Sequence, residues 1–409
     1  MDTEKINVYG ESEKYIVVDA AGRGDFTTIQ DAVFAAEIGC VILIKNGRYR
    51  ESVVIDKPLV LKGESLTGVV VANLSGCVFR LVDAGEVVLR NMTLALNAGT
   101  GIKIRSSKAR CIVTLEDLRI SGSGIIGGIC GVNVKGSQSI VDIHQCTFND
   151  NISQAIFAHK EARVELFECV VNAVSCIEAK DKNTHISAAK CIFMPWSDGQ
   201  TRALTVQDYA QCKLVNNEFL GFTKAVHIEQ GAIGNIVENV FEDNKVWCIY
   251  VSGKGAKAFI LNNRFSKNRP GQRLSNLKEK FKIPSEYYIA SCIWIQEGAV
   301  GEIHNNVFEK NIHCVDVKDD SSRVCLTGNR FEKNRLFLEY TPEVINLVVE
   351  SQASVDYAVM VRNNGSAQIE NNIFVNNGIK QIVVDSMSSD IVRMDSNTFR
   401  SNFDNELAE

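Results

Sequence analysis

The sequence predicts an all-β protein, a single right-handed parallel β-helix (a solenoid) of roughly a dozen turns with a short N-terminal capping helix. Three observations predict this fold. An aromatic residue recurs at a nearly constant spacing, a short alternating stretch follows most of these aromatics, and the first part of the chain has a helical pattern that the repeats lack.

The repeat is marked by phenylalanine. Most steps are 22 to 26 residues long, two are 43, and Val171 fills one slot. The two long steps hold extra sequence near 269–289 and 335–356, which an insertion or a degenerate turn would explain. A period of about 23 residues fits leucine-rich repeats and parallel β-helices, whereas helix-pair repeats are longer than about 30 residues. The aromatic positions are Phe148, Phe193, Phe219, Phe241, Phe265, Phe308, Phe331, Phe374 and Phe399.

The alternation between the aromatics distinguishes these two folds. The second and fourth residues of each stretch are aliphatic or alanine, which is the period-2 pattern of a strand. No leucine-rich consensus occurs, so a coil of stacked parallel strands is preferred. The stretches are AIFAH from Ala155, CIEAK from Cys176, ALTVQ from Ala203, AVHIE from Ala225, CIYVS from Cys248, CIWIQ from Cys292 and CVDVK from Cys314.

The motif NRFEKN, from Asn329 to Asn334, has near-copies in other turns. Where turns stack directly, equivalent asparagines can hydrogen-bond from one turn to the next, as in stacked cross-β sheets. We therefore interpret the motif as a strand, a turn and a stacking aromatic, and not as a site of chemistry. Cys146, Cys169 and Cys191 occupy the asparagine position in earlier turns, which indicates a choice of residue by size.

Residues 15–63 are predicted to form a cap with the first turns. A tail (1–14) precedes them, and the β-helix (64–402) and a C-terminal tail (403–409) follow. Thr27 is the predicted N-cap of the helix and Gln30 completes a capping box. Gly39 suits the helix end. Such a helix would cover the open first turn of the solenoid. Its predicted apolar face consists of Ile29, Ala32, Val33 and Ala36.

The same segment resembles a known family. The order V-D-x-x-G-x-G-D-F-T-T-I-Q-x-A, followed by G-R-Y-R-E, is similar to the start of pectin methylesterases and their pectin-lyase-like relatives. The resemblance lies within residues 15–63 and implies the right-handed β-helix fold. The matching residues are Asp19, Gly22, Gly24, Asp25, Phe26, Thr28, Ile29, Gln30, Ala32, Gly47, Tyr49 and Glu51.

The catalytic motifs of those esterases are missing. Gln207-Asp208-Tyr209-Ala210 keeps two letters of Q-D-T-L, and neither D-F-I-F-G nor L-G-R-P-W occurs. The resemblance therefore carries no esterase machinery to this chain. The turns after Cys146 resemble the β-helix repeats of intracellular adaptors, such as certain F-box proteins and cytokinesis-linked carbohydrate-binding proteins. This likeness concerns the fold and says little about function.

Composition narrows the function classes. The formal net charge of −5 in 409 residues gives no support to nucleic-acid binding. The charged start is unlike a signal peptide, and no apolar stretch is long enough for a membrane span. Thirteen cysteines without a secretion signal indicate a reducing compartment, so a cytoplasmic protein is expected. No C-x-x-C pair occurs, and we predict neither a metal nor a cofactor.

The outward residues of the alternating stretches suggest a ligand-binding face. Aromatics, imidazole, amides and carboxylates next to small residues are typical of a shallow groove for a polar ligand. The first residue of each stretch, alanine or cysteine, is expected to point outward and leave the neighbouring rings accessible. The predicted ligand-binding residues are Glu178, Gln207, His227, Glu229, Tyr250, Trp294, Gln296 and Asp316.

These residues predict a non-catalytic binding or scaffolding protein that holds an extended glycan or peptide. The alternative is a carbohydrate-active enzyme (esterase, lyase or hydrolase) that uses His227 and Glu229, and the third possibility is a structural spacer. The extra residues after Phe265 are rich in lysine and arginine, whereas the whole chain is mildly acidic. This local positive charge predicts a partner-binding surface. Its basic residues are Lys267, Arg269, Arg273, Lys278, Lys280 and Lys282. The oligomeric state is left open.

Overall fold

A computed structural model describes residues 15–73, 76–122, 128–149, 151–197, 199–269, 291–334, 357–377, 380–388 and 391–400. The chain is a right-handed parallel β-solenoid of about 14 turns. Helix accounts for only 2% of it. The predicted fold class is therefore confirmed, with slightly more turns than expected.

Three strands make up each turn, and they build three faces along the solenoid. Equivalent strands of successive turns pair in parallel and in register, as Ile156 of one turn does with Ile177 of the next. The strands Gly85–Leu96 (β8) and Cys111–Gly122 (β10) run through a corner and so belong to two faces, A and B. The interior between the three faces is one continuous apolar core.

Face A consists of β1 Tyr15–Val18, β2 Val41–Ile44, β5 Leu59–Gly63, β8 Gly85–Leu96, β10 Cys111–Gly122, β12 Ser139–His144, β15 Arg163–Phe167, β18 His185–Ala189, β21 Gln211–Val215, β24 Ile233–Val237, β27 Lys257–Leu261, β30 Val300–His304, β33 Arg323–Thr327, β36 Ser366–Glu370 and β39 Val392–Asp395.

Face B consists of the second parts of β8 and β10 together with β3 Gly47–Arg50, β6 Val69–Asn73, β13 Thr147–Asn149, β16 Val170–Ala173, β19 Ile192–Pro195, β22 Glu218–Leu220, β25 Val240–Glu242, β28 Arg264–Ser266, β31 Val307–Glu309, β34 Arg330–Glu332, β37 Ile373–Val375 and β40 Thr398–Arg400.

Face C is the separate 13-stranded sheet. Its strands are β4 Val53–Ile55, β7 Cys77–Val82, β9 Thr100–Arg105, β11 Cys130–Lys135, β14 Gln154–His159, β17 Ser175–Lys180, β20 Arg202–Val206, β23 Lys224–Glu229, β26 Trp247–Ser252, β29 Ser291–Gln296, β32 His313–Lys318, β35 Tyr357–Arg362 and β38 Lys380–Val384.

The repeated phenylalanines form the predicted stack inside face B. From Phe193 to Phe399, successive rings are nearly parallel, with centroids 4.7 to 5.0 Å apart. Val171 takes the place of a ring next to Phe148, as the sequence indicated. The spacing matches the distance between paired strands, so the stack follows directly from the in-register turns.

Two asparagine ladders flank this stack. In each ladder, the side-chain amide of one asparagine donates to the side-chain oxygen of the next at 2.8 to 3.1 Å. One ladder runs from Asn217 to Asn397 and the other from Asn244 to Asn377. Cys191 continues the first ladder, because its backbone N–H donates to Asn217 Oδ1 at 2.9 Å. The structural interpretation of NRFEKN is confirmed.

The capping helix α1, Ile29–Ala35, buries the predicted apolar face. Its N-cap is Thr28 and not Thr27, so that prediction is wrong by one residue. The Thr28 hydroxyl accepts from the Asp31 N–H at 3.2 Å. The Glu51 carboxylate accepts from the N–H groups of Ile29 and Gln30 at 2.8 and 2.9 Å. The sequence could not reveal this distant acceptor, which satisfies two helical donors and fixes where the helix begins.

The two long steps of the repeat add residues within a turn and not a further turn. Phe265 in β28 pairs directly with Phe308 in β31, and Phe331 in β34 pairs with Phe374 in β37. No other described strand of face B lies between them, and the extra residues after Arg269 and after Asn334 are outside the described ranges. Within the described part of the chain, no helix is both long enough and apolar enough to span a membrane.

Candidate functional site

In most strands of face C, the second and third residues both point inward. Ala155 and Ile156 are both fully buried, and Cys176 Sγ lies 3.6 Å from the buried carbonyl of Val171. The prediction that this alanine or cysteine points outward is therefore wrong. The strict alternation breaks where the chain enters face C, and the residue before the break faces out instead. This outward row contains Gln154, Ser175, Arg202, Lys224, Trp247, Ser291, His313 and Tyr357.

The break places Trp247 in the middle of an aromatic cluster that the sequence prediction missed. The Trp247 ring stacks on Tyr250 at 4.8 Å between centroids. His227 lies 5.1 Å from Tyr250 and 5.9 Å from Trp247. Lys224 Nζ lies 4.7 Å above the Trp247 ring. A tryptophan directly before the CIYVS stretch was the available signal, but the assumed alternation assigned no role to that position.

His227 and Glu229 form the close pair that the sequence suggested. His227 Nδ1 lies 3.3 Å from Glu229 Oε1. Burial lowers the pKa of His227, and the hydrogen bond from His227 lowers the pKa of Glu229. The imidazole is therefore neutral at pH 7 and the carboxylate is charged. Because a carboxylate only accepts, the ring proton lies on Nδ1 and the lone pair on Nε2.

The second nitrogen of this imidazole is unusual. His227 is 3% exposed, and its Nε2 atom is buried without a hydrogen-bond partner among the described residues. A buried acceptor without a partner is costly, so such atoms often indicate a functional role. The ring that carries this lone pair packs against Trp247 and Tyr250, and since Nε2 is buried, a substrate would reach it only after a covering side chain moved.

Hydrogen bonds hold the next part of the cluster in place. Trp294 Nε1 donates to Gln296 Oε1 at 2.8 Å, and Gln296 Nε2 donates to the Tyr250 hydroxyl at 2.8 Å. Trp294 is only 5% exposed. The structure therefore brings His227, Glu229, Tyr250, Trp294 and Gln296 together, as the sequence suggested, but as a packed network and not as separate exposed side chains.

Asp316 has a different environment from the one expected. Its carboxylate is fully buried and accepts from the Tyr357 hydroxyl at 2.8 Å and from Arg362 Nη2 at 3.0 Å. Burial raises the pKa of Asp316. Arg362 also lies 5.2 Å from the Trp294 ring centre. Asp316 therefore holds Tyr357 and the partly exposed Arg362 from a buried position and is not the exposed carboxylate that the sequence predicted.

Glu178 and Gln207 lie toward the N-terminal side of the cluster. Gln154 Nε2 donates to Glu178 Oε2 at 2.7 Å, and Gln207 Nε2 lies 3.4 Å from Glu178 Oε1. Glu178 pairs in register with Thr205, and Thr205 with His227. Two strand spacings of about 4.8 Å thus separate Glu178 from the imidazole. Both residues lie on the same face as the cluster, but neither contacts it in the described hydrogen bonds.

The N-terminal part of face C is cationic. Arg80, Lys103 and Arg105 line an open depression of about 340 Å³. The row of Arg105 continues in register through Lys135 and His159 to Lys180. Successive positions are one strand spacing apart. Arg105, Lys135 and Lys180 offer positive charges, whereas burial lowers the pKa of His159 and leaves its imidazole neutral at pH 7.

Of the predicted basic partner surface, the structure describes only the first two residues, Lys267 and Arg269. Lys267 Nζ contacts Glu242 at 2.7 Å, and Arg269 Nε donates to the Lys310 carbonyl at 2.9 Å. Both cations are thus engaged within the protein. The other predicted residues, Arg273, Lys278, Lys280 and Lys282, lie outside the described ranges.

The residues of the esterase resemblance build the cap. Asp19 holds Arg23 at 3.0 Å, the Tyr49 hydroxyl donates to the Lys45 carbonyl at 2.7 Å, and Glu51 caps the helix. A Cβ on Gly24 would approach the Val17 carbonyl oxygen to 2.6 Å, so only glycine fits there. These contacts explain why the motif accompanies the fold and not a particular reaction.

Comparison with known proteins agrees with this fold. A family model described as "Right handed beta helix region" matches residues 130–283. No curated protein matches the sequence. The structure is similar to the catalytic unit of the thermostable GH87 alpha-1,3-glucanase from Streptomyces thermodiastaticus strain HF3-3, with 11% identity and a TM-score of 0.56. That match covers 92% of this chain and 65% of the glucanase unit, so the chain spans slightly less than two thirds of its length.

DFA-IIIase from Arthrobacter chlorophenolicus A6 is also similar, with 13% identity, a TM-score of 0.52 and coverage of 95% of this chain and 94% of that one. Pectin methylesterase from carrot matches more loosely, with 13% identity, a TM-score of 0.35 and coverage of 63% and 82%. At these identities the similarity shows the fold alone, a right-handed parallel β-helix, which is the fold that the N-terminal resemblance implied.

The comparisons also correct the functional prediction. The sequence analysis put a non-catalytic binding or scaffolding protein first, and that prediction is wrong. The matched solved structures are mostly carbohydrate-active enzymes, among them the glucanase and DFA-IIIase. They favour the alternative given beside it, a carbohydrate-active enzyme.

Proposed function

We propose that this protein is a carbohydrate-active enzyme that processes an extended glycan along face C, with His227 as its general base. The observation that carries the proposal is the partnerless Nε2 atom of a neutral, buried imidazole next to stacked aromatic rings. Two similar solved structures with TM-scores above 0.5, a glucanase and DFA-IIIase, support the substrate class.

Each residue of the cluster has a role in this proposal. Glu229 holds the proton of His227 on Nδ1, which keeps the lone pair of Nε2 available. Trp247 and Tyr250 offer stacking surfaces for a sugar ring, and Gln296 orients the tyrosine hydroxyl. The base would either activate water, which gives hydrolysis or ester cleavage, or remove a proton next to a sugar carboxylate, which gives elimination. The product distinguishes these reactions.

The cationic part of face C favours an acidic glycan. Five strand spacings, about 24 Å in total, separate Lys103 from His227 in the paired register. Extended sugar units are similar in length to one strand spacing, so a chain of about five units would reach from the cluster to Lys103. Carboxylate or sulfate groups on such a chain would be attracted by Lys135 and Lys180, which lie beside this path.

The test is a product assay on the full chain with uronate-containing, sulfated and neutral oligosaccharides. New reducing ends, an ultraviolet-absorbing double bond or a released acid or alcohol would identify the reaction. We expect His227→Ala to lower kcat by about 10²–10⁴. Glu229→Gln should also lower kcat, because an amide N–H can face Nδ1 and stabilise the wrong tautomer. His185→Ala removes a half-buried imidazole on face A and is the matched control.

Trp247→Ala should mainly raise KM, because it removes a stacking surface and leaves the base in place. Burial lowers the pKa of His227, so the imidazole stays neutral below the usual histidine pKa of about 6.5. The kcat of the unaltered protein should therefore stay constant through pH 6.5 and fall only at lower pH. Binding without any product, or full activity in His227→Ala, would refute the proposal.

A further inference from the structure

Strand pairing on face A brings together three residues that no sequence motif connects. Glu302 and His304 are two residues apart on β30, so their side chains point to the same side. Cys325 on β33 is the register partner of Glu302. All three side chains are partly exposed on the outer surface. Face A is not the face that carries the proposed reaction.

Their donor atoms are close enough to share one ion. A nitrogen of His304, an oxygen of Glu302 and the sulfur of Cys325 all lie within 4.8 Å of one another. His304 Nε2 is 3.4 Å from Glu302 Oε2. Around Zn²⁺, with bonds of about 2.0 Å to nitrogen and oxygen and 2.3 Å to sulfur, tetrahedral ligand atoms are separated by roughly 3.3–3.7 Å. Small rotations of these side chains would reach that geometry.

We propose that Glu302, His304 and Cys325 form a binding site for a late first-row divalent cation, with Zn²⁺ as the expected occupant. Thiolate with imidazole excludes Mg²⁺ and Ca²⁺, which require mostly oxygen ligands. Three protein ligands leave the fourth position of a tetrahedral ion open to water. The site is partly exposed. Its ligands come from strands of two successive turns, so a bound ion would link these turns.

The remaining contacts of the three residues allow coordination. Lys257 Nζ is 3.9 Å from Oε1 of Glu302, which is the oxygen that does not face His304. The Cys325 sulfur is 3.6 Å from the Thr327 hydroxyl. Lys257 and Glu302 are both partly exposed, so this ion pair contributes little and can separate. No sequence motif indicates the site, because Cys325 lies 21 positions after His304.

The solenoid supplies an internal control. Asp142 and His144 on β12 occupy the strand positions that Glu302 and His304 occupy on β30, through an unbroken series of register partners. The register partner of Asp142 in the next turn is Glu165 and not a cysteine. This pair therefore has the acid and the imidazole without the thiol.

The experiment titrates the full-length, chelator-treated protein with Zn²⁺ in competition with a chromophoric chelator, and with Co²⁺ as a spectroscopic probe. We expect one Zn²⁺ per chain and a thiolate-to-cobalt charge-transfer band. Cys325→Ser should abolish the band, and His304→Ala and Glu302→Gln should each weaken binding by at least about tenfold. His144→Ala should bind as the unaltered protein does.

Circular dichroism would check that each variant folds, which is expected because all the changes are on the surface. A cobalt spectrum without a thiolate band would refute the site. Zn²⁺ binding that survives unchanged in Cys325→Ser, or that is lost equally in His144→Ala, would also refute it.

Discussion

Replacing Asn306 by alanine tests whether the asparagine ladder stabilises the solenoid. Asn306 is fully buried in the middle of its ladder. Its amide group donates to the carbonyls of Ile260 at 2.8 Å and His304 at 3.0 Å, and to Asn329 Oδ1 at 3.0 Å. Its side-chain oxygen accepts from the backbone N–H of Asn263 at 2.8 Å and from its side-chain amide at 3.0 Å.

The size of the effect follows from the groups that would lose their partner. In Asn306→Ala, the buried N–H of Asn263 and the carbonyl of Ile260 lose these hydrogen bonds. An unsatisfied buried group costs about 1–3 kcal/mol, so the two together predict a loss of about 2–6 kcal/mol. The exposed Asn235 on face A is the matched control, and its change to alanine should alter stability by no more than about 0.5 kcal/mol.

The assay is equilibrium urea unfolding followed by far-ultraviolet circular dichroism, combined with amide hydrogen exchange. Exchange is needed because repeat proteins can unfold in parts, and the loss should be concentrated in the turns of Asn263 and Asn306. A loss below about 1 kcal/mol, or exchange that increases evenly along the chain, would refute the reasoning. The ladder would then be a consequence of stacking and not a cause of stability.

Further predictions concern thiols, acid stability and esterase activity. No disulfide joins any of the 13 cysteines, so thiol titration of the denatured, unreduced protein should detect nearly all of them as free thiols. Detection of only a few free thiols would contradict this prediction. Burial lowers the pKa of His313 to about 3. Its unfolded pKa is about 6.5, so its contribution to stability is complete above pH 6.5 and declines as the pH falls toward 3, by about 1.4 kcal/mol per unit. His313→Leu should flatten that part of the dependence of Tm on pH, and an unchanged slope would contradict it. Methylated pectin should release no methanol, because the D-F-I-F-G and L-G-R-P-W elements are missing; release that disappears in Glu229→Gln would contradict this.

The close contacts of the candidate site could be predicted only in part. His227 and Glu229 are two residues apart on one strand, so their contact follows from the period-2 pattern. The burial of Asp316 could not be predicted, since it depends on Tyr357 and Arg362, which are more than 40 residues away. Nothing in the local pattern around Asp316 distinguishes a surface carboxylate from a buried one.

The sequence by itself determined the solenoid. A repeat of nearly constant length places equivalent residues above one another, so the phenylalanine stack and the asparagine ladders follow from spacing alone. Only the tertiary structure decided which side chains share a surface. The break at the start of each face C strand turned Trp247 toward His227, and strand pairing brought Cys325 to Glu302. The physical reason is that spacing fixes the register between turns, whereas the direction and burial of a side chain depend on the backbone at each corner and on neighbours from other turns.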